Sequence, residues 1–313
     1  MAGTNGRDGS ITAVGTEMRS YYGRPVVKEP VWTWEIPAYF FTGGIAGGSS
    51  VLHGIARLAG RDRLARTSLF VGTAAEIVSP MLLISDLGRP ERFANMFRVF
   101  KVTSPMSVGS WILVSSGGAT STAALLELFG RLKPVKLAAE AVAFALGPPL
   151  TTYTGALVAN TAIPVWSEAR HELPWLFGAS ASATSGAATA MLLAPAEAGP
   201  ARRLAVGGAL GELLWTQLME KRLGFVGEVY KHGEAGKAAR VAKACTALGA
   251  GLLAWRGGRS RAAAIAGSAL VLAGGAAMRW SVYKAGFQSA RDPRYTLIPQ
   301  RERLEKRGPA TGR

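Results

Sequence analysis

Three carboxyls and two phenols in this chain stand inside or at the edges of long apolar runs, where such groups are expensive to place. Glu35 and Tyr39 are four residues apart, so on a helix they share one face, which Gly43 and Gly47 continue. Asp86 closes a second apolar run and opens the stretch Asp86-Leu87-Gly88-Arg89-Pro90-Glu91-Arg92-Phe93. Glu76 lies ten residues before Asp86, hence ~15 Å deeper along a helix axis. Tyr153 follows the Pro148-Pro149 pair within Tyr153-Thr154-Gly155. Carboxyls and phenols donate, accept and pass protons. Gathered at one end of a set of apolar helices, they suit a carrier with carbonyl oxygens to bind and two protons to exchange. An apolar cleft between helices would take its ring and tail. A quinone has these properties.

Each group also has a plainer reading. Asp86 and Arg89 can form an ion pair that locks a helix end. Glu35 can face lipid headgroups, and Tyr153 can be a packing aromatic. Glu76 is harder to read as structural, because it is far from either end of its run. Glu140 and Glu212 are further candidates for a relay, although a neutral buried acid is their expected form. His53 reads as a hydrogen-bonded packing residue. In Ser104-Pro105-Met106-Ser107, a serine cap followed by proline starts a helix whatever else the turn does.

The elements that must position these groups are apolar runs of the length a hydrocarbon core requires. Eight are present, at about Trp34 to Leu58, Leu64 to Leu87, Met106 to Leu128, Leu137 to Ile163, Trp175 to Leu193, Leu204 to Met219, Ala238 to Trp255 and Ala262 to Met278. They predict an all-α integral membrane protein with about eight transmembrane helices. Apolar residues make up 49% of the chain and charged ones 18%, and the charges concentrate between the runs. Trp32 and Trp34 stand at the start of the first run, as interfacial aromatics do. Adjacent prolines predict a bend or break in the fourth, tolerable where the freed carbonyls face protein or a cavity. The fifth run is rich in Ala, Ser and Thr and is expected to be buried among other helices. Arg279 is expected to snorkel from the end of the eighth.

The formal net charge is +16. In a soluble protein that would suggest nucleic acid, but no nucleic-acid motif is present. The basic residues flank apolar runs instead, as they do beside anionic lipid headgroups. About twice as many Lys and Arg fall on the side holding both termini as on the other, which predicts a multi-pass cell-membrane protein with cytoplasmic termini. Residues 1–30 lack the apolar core of a signal peptide. Tyr21-Tyr22-Gly23-Arg24-Pro25 is expected either to lie on a partner or the headgroups, or to fray. The single cysteine, Cys245, excludes an intrachain disulfide and a cysteine-ligated cluster. Of three histidines only His53 lies in an apolar run, so neither a bis-histidine haem nor another metal site is expected in this chain.

These residues together resemble a known family. Trp34-Glu35-Ile36-Pro37-Ala38-Tyr39-Phe40, the Asp86 to Phe93 stretch, Ser104-Pro105-Met106-Ser107-Val108-Gly109-Ser110-Trp111 and Tyr153-Thr154-Gly155 are similar to segments of the NrfD-like family. Its members are the membrane subunits of polysulfide reductase and related molybdoenzyme complexes. The Asp292-Pro293-Arg294-Tyr295 tail resembles that of the actinobacterial members. The resemblance implies two four-helix bundles, residues 34–166 and 172–284, between a cytoplasmic segment 1–33 and a cytoplasmic tail 285–313. It further implies a menaquinone site in the first bundle, near the face that docks an iron–sulfur subunit serving a molybdopterin catalytic subunit. Tyr39, Asp86, Arg89, Ser107 and Tyr153 would contact the quinone, and Asp86, Glu35 and Glu76 would carry protons. Arg92, Arg98, Ser104 and Met106 would meet the docked partner. Some members carry a quinone-binding histidine early in the first helix; here Glu35 stands as its substitute. A transporter or proton channel would use the same acids and the broken fourth helix, and a purely structural anchor would use neither.

Overall fold

The structure is a computed structural model that describes residues 26–89 and 91–307. The Tyr21 to Pro25 segment, Pro90 and residues 308–313 lie outside the described residues. The described chain is helical, without strands. In order it forms α1 (Glu35–Leu58), α2 (Asp62–Asp86), the short α3 (Arg92–Asn95), α4 (Pro105–Phe129), α5 (Lys133–Ala159) and the short α6 (Pro164–Glu168). There follow α7 (Leu173–Leu192), α8 (Gly199–Leu223), a 3-10 turn at Val226–Tyr230, α9 (Gly233–Trp255), α10 (Arg261–Arg291) and α11 (Arg294–Arg307). Four of them, α2, α4, α5 and α10, are long and apolar enough to cross a membrane. The others of similar length, α1, α7, α8 and α9, are diluted by Gly, Ser, Thr or charged residues.

α1 packs on α2, α5 and α7, while α4 leans on α5 and α2. The pairs α7–α8 and α9–α10 form a second group, joined to the first where α1 and α5 meet α7 and where α1 meets α10. Small residues set the closest approaches. A Cβ on Gly47 would lie 2.8 Å from the carbonyl oxygen of Gly147, and a Cβ on Gly147 equally close to that of Gly47. Only glycine lets the backbones of α1 and α5 come this near. As expected, α7 is largely buried, with Ser180, Thr184, Ser185 and Thr189 excluded from solvent.

Of the bend or break expected in the fourth run, the break does not occur, and a second expectation also needs correction. α5 runs unbroken through Pro148 and Pro149, and the Thr151 hydroxyl donates to the Pro148 carbonyl at 2.7 Å in the turn that follows. Packing on α1 and α4 holds the helix together across the missing amides. The second correction is Arg279, which does not snorkel. α10 continues past it to Arg291, and Arg279 is 1% exposed. Its guanidinium donates to the carbonyls of Phe40 at 3.3 Å and Phe177 at 3.2 Å and to the Ser180 hydroxyl at 2.6 Å. It also sits 4.6 Å above the Phe177 ring centre. With acceptors from two other helices at hand, the five-donor fork has no need to reach water. The tail forms a further helix: α11 follows Asp292, and Tyr295 stacks on Phe225 at 5.2 Å.

Candidate functional site

The start of α1, the end of α2 and the start of α4 meet at one end of the first group, with the late turns of α5 beside them. Ser104 caps α4 as the sequence predicts, its hydroxyl accepting from the Ser107 amide at 3.4 Å with Pro105 in the first turn. The Ser107 hydroxyl donates to the Val99 carbonyl and accepts from the Lys101 amide, both at 3.1 Å. It thereby closes the link between α2 and α4 and does not reach the space beneath.

That space is a cavity of about 260 Å³. Its walls are apolar: Trp32, Ile36 and Phe40 on one side, Leu83 and Leu87 from the end of α2, Met96 and Met106 above, and Leu157 from α5. Four polar side chains face it, namely Tyr39, Asp86, Ser110 and Tyr153. Tyr39 is 1% exposed and its hydroxyl is hydrogen-bonded to that of Tyr153 across the cavity floor. Gly109 makes this possible, because a side chain there would occupy the space of the Tyr153 ring. Asp86 stands at the rim. Its Oδ1 accepts from the Thr33 amide at 3.1 Å and contacts the Thr33 hydroxyl, which also bonds the Glu35 carboxyl. One threonine thus ties both rim acids together, and its single hydroxyl hydrogen serves one of them at a time.

The rim is anchored to the second group of helices. The Tyr283 hydroxyl of α10 donates to the Trp32 carbonyl at 2.7 Å, and Trp32 stacks on Trp166 at 5.3 Å. Trp32 is therefore a half-buried wall rather than a free interfacial aromatic, whereas Trp34 is exposed as expected.

The structure thus brings Tyr39, Asp86 and Tyr153 to one cavity and links Glu35 to it through Thr33. Arg89 is exposed, and the partner that Asp86 holds among the described residues is Thr33. Arg92, Arg98 and Met106 are exposed and Ser104 half-buried, on the surface around the mouth. Glu76 is 3% exposed and lies outside the cavity wall. One of its oxygens accepts from Ser116 at 2.6 Å; the other has no partner among the described residues. One turn nearer the cavity, Ser79 and Thr42 share a hydrogen bond at 2.8 Å, and Ser79 and the Tyr39 ring both border Gly43. Glu140 is not an isolated acid: Lys136 and Arg57 each approach it at 3.5 Å and His53 at 3.3 Å, at the opposite end of the group. His53 also bonds the Ala65 carbonyl at 2.8 Å, the packing role expected of it.

Sequence reasoning missed Trp32, Thr33, Gly109 and Ser110 as parts of the site. Gly109 and Ser110 lay within a motif already singled out, and their spacing after the Ser104 cap was the available signal. Nothing in the sequence paired Thr33 with Asp86.

A helical protein with four membrane-length apolar helices and an apolar cleft opening at one end is a multi-pass membrane protein. The family follows from comparison: a model of the polysulfide reductase family of NrfD-type proteins matches residues 18–291, and the chain belongs to that family. Protein NrfD of Escherichia coli (strain K12) is 36% identical over 85 residues, 25% of this chain and 27% of that relative. The chain thus matches about a quarter of the length of this curated relative.

Proposed function

We propose that this chain is the quinone-reactive membrane anchor of a redox complex. One observation carries the reading: a 260 Å³ apolar cavity floored by a hydrogen-bonded phenol pair and rimmed by a carboxyl. The residues fit a quinone in size and chemistry. A flat ring would lie between Phe40, Leu83 and Met106, with one carbonyl oxygen within reach of the Tyr153 hydroxyl and the other towards Ser110 or Asp86. When bound, the quinone supplies two-electron, two-proton redox chemistry. Everything else falls to the protein. Tyr153 donates from its hydroxyl and is held in place by Tyr39 behind it and Gly109 beside it. Asp86 and Glu35 exchange protons between the rim and water through their free oxygens. Ser79, Thr42, Ser116 and Glu76 extend a line of hydroxyl and carboxyl groups inwards from Tyr39.

In this reading α1, α2, α4 and α5 form one four-helix bundle and α7 to α10 a second, making eight spans. The weaker apolarity of α1 and α7 to α9 suits helices that face other helices or loops rather than lipid alone. The excess of Lys and Arg on the side of the cleft supports a cytoplasmic location for that side and both termini. Membership of the polysulfide reductase family supports an iron–sulfur partner over the cleft, on the surface carrying Arg92 and Arg98, with a molybdopterin subunit beyond it. Menaquinone is the carrier the family resemblance favours. The test is titration of the purified chain in detergent with a short-chain naphthoquinone. Wild type is expected to bind, and Asp86→Asn and Tyr153→Phe to bind weakly. Equal affinity in all three, or no binding by folded wild type, would remove the cleft as a quinone site.

A further inference from the structure

The second group of helices repeats one feature of the first. Glu76 on α2 is bonded by Ser116 of α4 at 2.6 Å, and Glu212 on α8 is bonded by Thr246 of α9 at 2.9 Å. Each carboxyl stands near the middle of the second helix of its group and is held by a hydroxyl from the third. Each leaves its other oxygen without a partner among the described residues. Glu212, however, has surroundings that Glu76 lacks. It is 2% exposed and lines a small cavity of about 20 Å³. The same cavity is lined by Tyr230, whose buried hydroxyl is also unpartnered among the described residues. Burial, reinforced by the Glu220 carboxylate, pushes the Tyr230 phenol above its usual range, so it remains an O–H donor.

Two unsatisfied polar groups facing one cavity call for a third that can bond both, and the volume suits one water molecule. The cavity also leads outwards. Thr216 and Glu220 follow Glu212 at four-residue steps, so the three share one face of α8. Glu220 accepts from Lys243 of α9 at 2.6 Å, where the lysine side chain is 38% exposed. This outer end lies on the same side of the molecule as the cleft between Tyr39 and Tyr153, because α8 ends there and α9 begins. On the inner side, Ser180 faces Glu212 and accepts from the buried Arg279 at 2.6 Å.

We propose that this cavity holds a water molecule joining Tyr230 to Glu212 and forms, with the Glu220–Lys243 pair, a proton inlet that loads Glu212 independently of the quinone cleft. A proton from bulk water reaches the Glu220 carboxylate and passes on by exchange. The Tyr230 hydroxyl near Glu220 takes it as it gives its own proton to the bound water, and a proton then moves from the water to Glu212. It converts the Glu212 carboxylate to the acid, and the reverse path returns it. No electron moves. The charged groups around this exchange are Arg279 of α10, next to Glu212, and Glu220 of α8 and Lys243 of α9, which line the same cavity. Arg279 also holds the Phe40 carbonyl, and Phe40 is a wall of the cleft, so the charge of Glu212 is felt there.

The experiment is infrared difference spectroscopy of the full chain in lipid nanodiscs, between acidic and alkaline buffer. One carboxylic C=O band is expected to titrate, to vanish in Glu212→Gln and to persist in Glu76→Gln. Its hydrogen–deuterium exchange should slow roughly tenfold in Ala242→Leu, which fills the cavity, and in Tyr230→Phe, which removes one partner of the water. Should Glu212→Gln fail to fold, Glu212→Asp identifies the band by a frequency shift, and the other two variants carry the test. A spectrum unchanged by substitution at Glu212, a band that does not titrate, or exchange indifferent to Ala242→Leu would each overturn the inlet. None of these readings depends on quinone binding.

Discussion

Gly109→Ala tests the geometry of the cleft without removing any polar group. A Cβ at this position would stand 1.9 Å from Cε2 of Tyr153 and 2.5 Å from Cζ, the atom that carries the hydroxyl, and ordinary contact begins at 3.4 Å. The ring must therefore retreat by about 3.4 − 1.9 = 1.5 Å, or α4 must move away from α5. A hydrogen bond displaced by that much leaves the range in which it is strong. The Tyr39 hydroxyl then loses its partner in a buried setting, at about 1–3 kcal/mol, and a bound quinone loses a donor. A shortfall of about 1.4 kcal/mol in binding corresponds to tenfold weaker affinity, so naphthoquinone titration should show roughly that loss or more. Gly118→Ala is the control: it lies on the same helix with nothing within 4 Å of its added methyl. It should bind as wild type does. If Gly109→Ala binds quinone like Gly118→Ala, with thermal melts alike, Tyr153 is not positioned for binding by this contact and the account of the cleft floor is wrong.

Other outcomes follow from the packing. Gly147→Ala drives a methyl to within 2.8 Å of the Gly47 carbonyl and should lower stability by about 1–3 kcal/mol, seen as an earlier melt in detergent. Arg279→Met removes the buried fork shared by Phe40, Phe177 and Ser180 and should cost roughly 3 kcal/mol or more. Arg279→Lys should recover only part of this, since an ammonium cannot reproduce the planar fork; equal melts for Met and wild type would refute the tether. Asp292 is held below the usual aspartate value of 3.8 by its hydrogen bond from Arg294, with burial opposing. Its folded value is the lower one, so its stabilisation is full above the unfolded value and is lost as pH falls through the folded one. Hydrogen exchange across residues 294–307 should thus be insensitive to this group at neutral pH and quicken only below about pH 4, relative to an Asp292→Asn reference.

The parts of the site visible in the sequence were those governed by local rules. Ser104-Pro105 announces its own helix start, and Glu35 and Tyr39 lie on one face by simple period. The acid at Asp86 marks its helix end because the apolar run stops there. What stayed hidden was decided by contacts between distant segments. Thr33 meets Asp86 across 53 residues, and no pattern near either predicts it. Arg279 looks like a helix-end cation because apolarity falls off after Met278, yet the helix continues among Ser281, Tyr283 and Ser289, all shielded by neighbours. The prolines of α5 misled for a related reason: a broken backbone ladder predicts a break only when nothing else holds the two halves in line.

The two groups of helices share a direction and a mid-depth carboxyl, yet the space beneath the start of their first helices differs, and the difference traces to a few side chains. Tyr39 and Phe177 are each the fifth residue of the first helix in their group. In the first group that position is a phenol whose hydroxyl reaches Tyr153 beneath open space. In the second it is a fully buried phenyl ring, packed 5.9 Å from Phe40 and capped by the Arg279 guanidinium. The same arginine that fills the second group grips the Phe40 carbonyl of the first, so closing one end stiffens a wall of the other. The space beside Leu176 and Glu212 is about 20 Å³ against about 260 Å³ in the cleft, room for a water molecule but not for an aromatic ring. On the proposed reading one group takes a ring with carbonyl groups and the other, at most, a proton. Opening the second with Phe177→Ala should enlarge its cavity and loosen Arg279 without creating quinone affinity, because no phenol pair lies beneath it; a second equivalent of bound naphthoquinone in that variant would refute this division of roles.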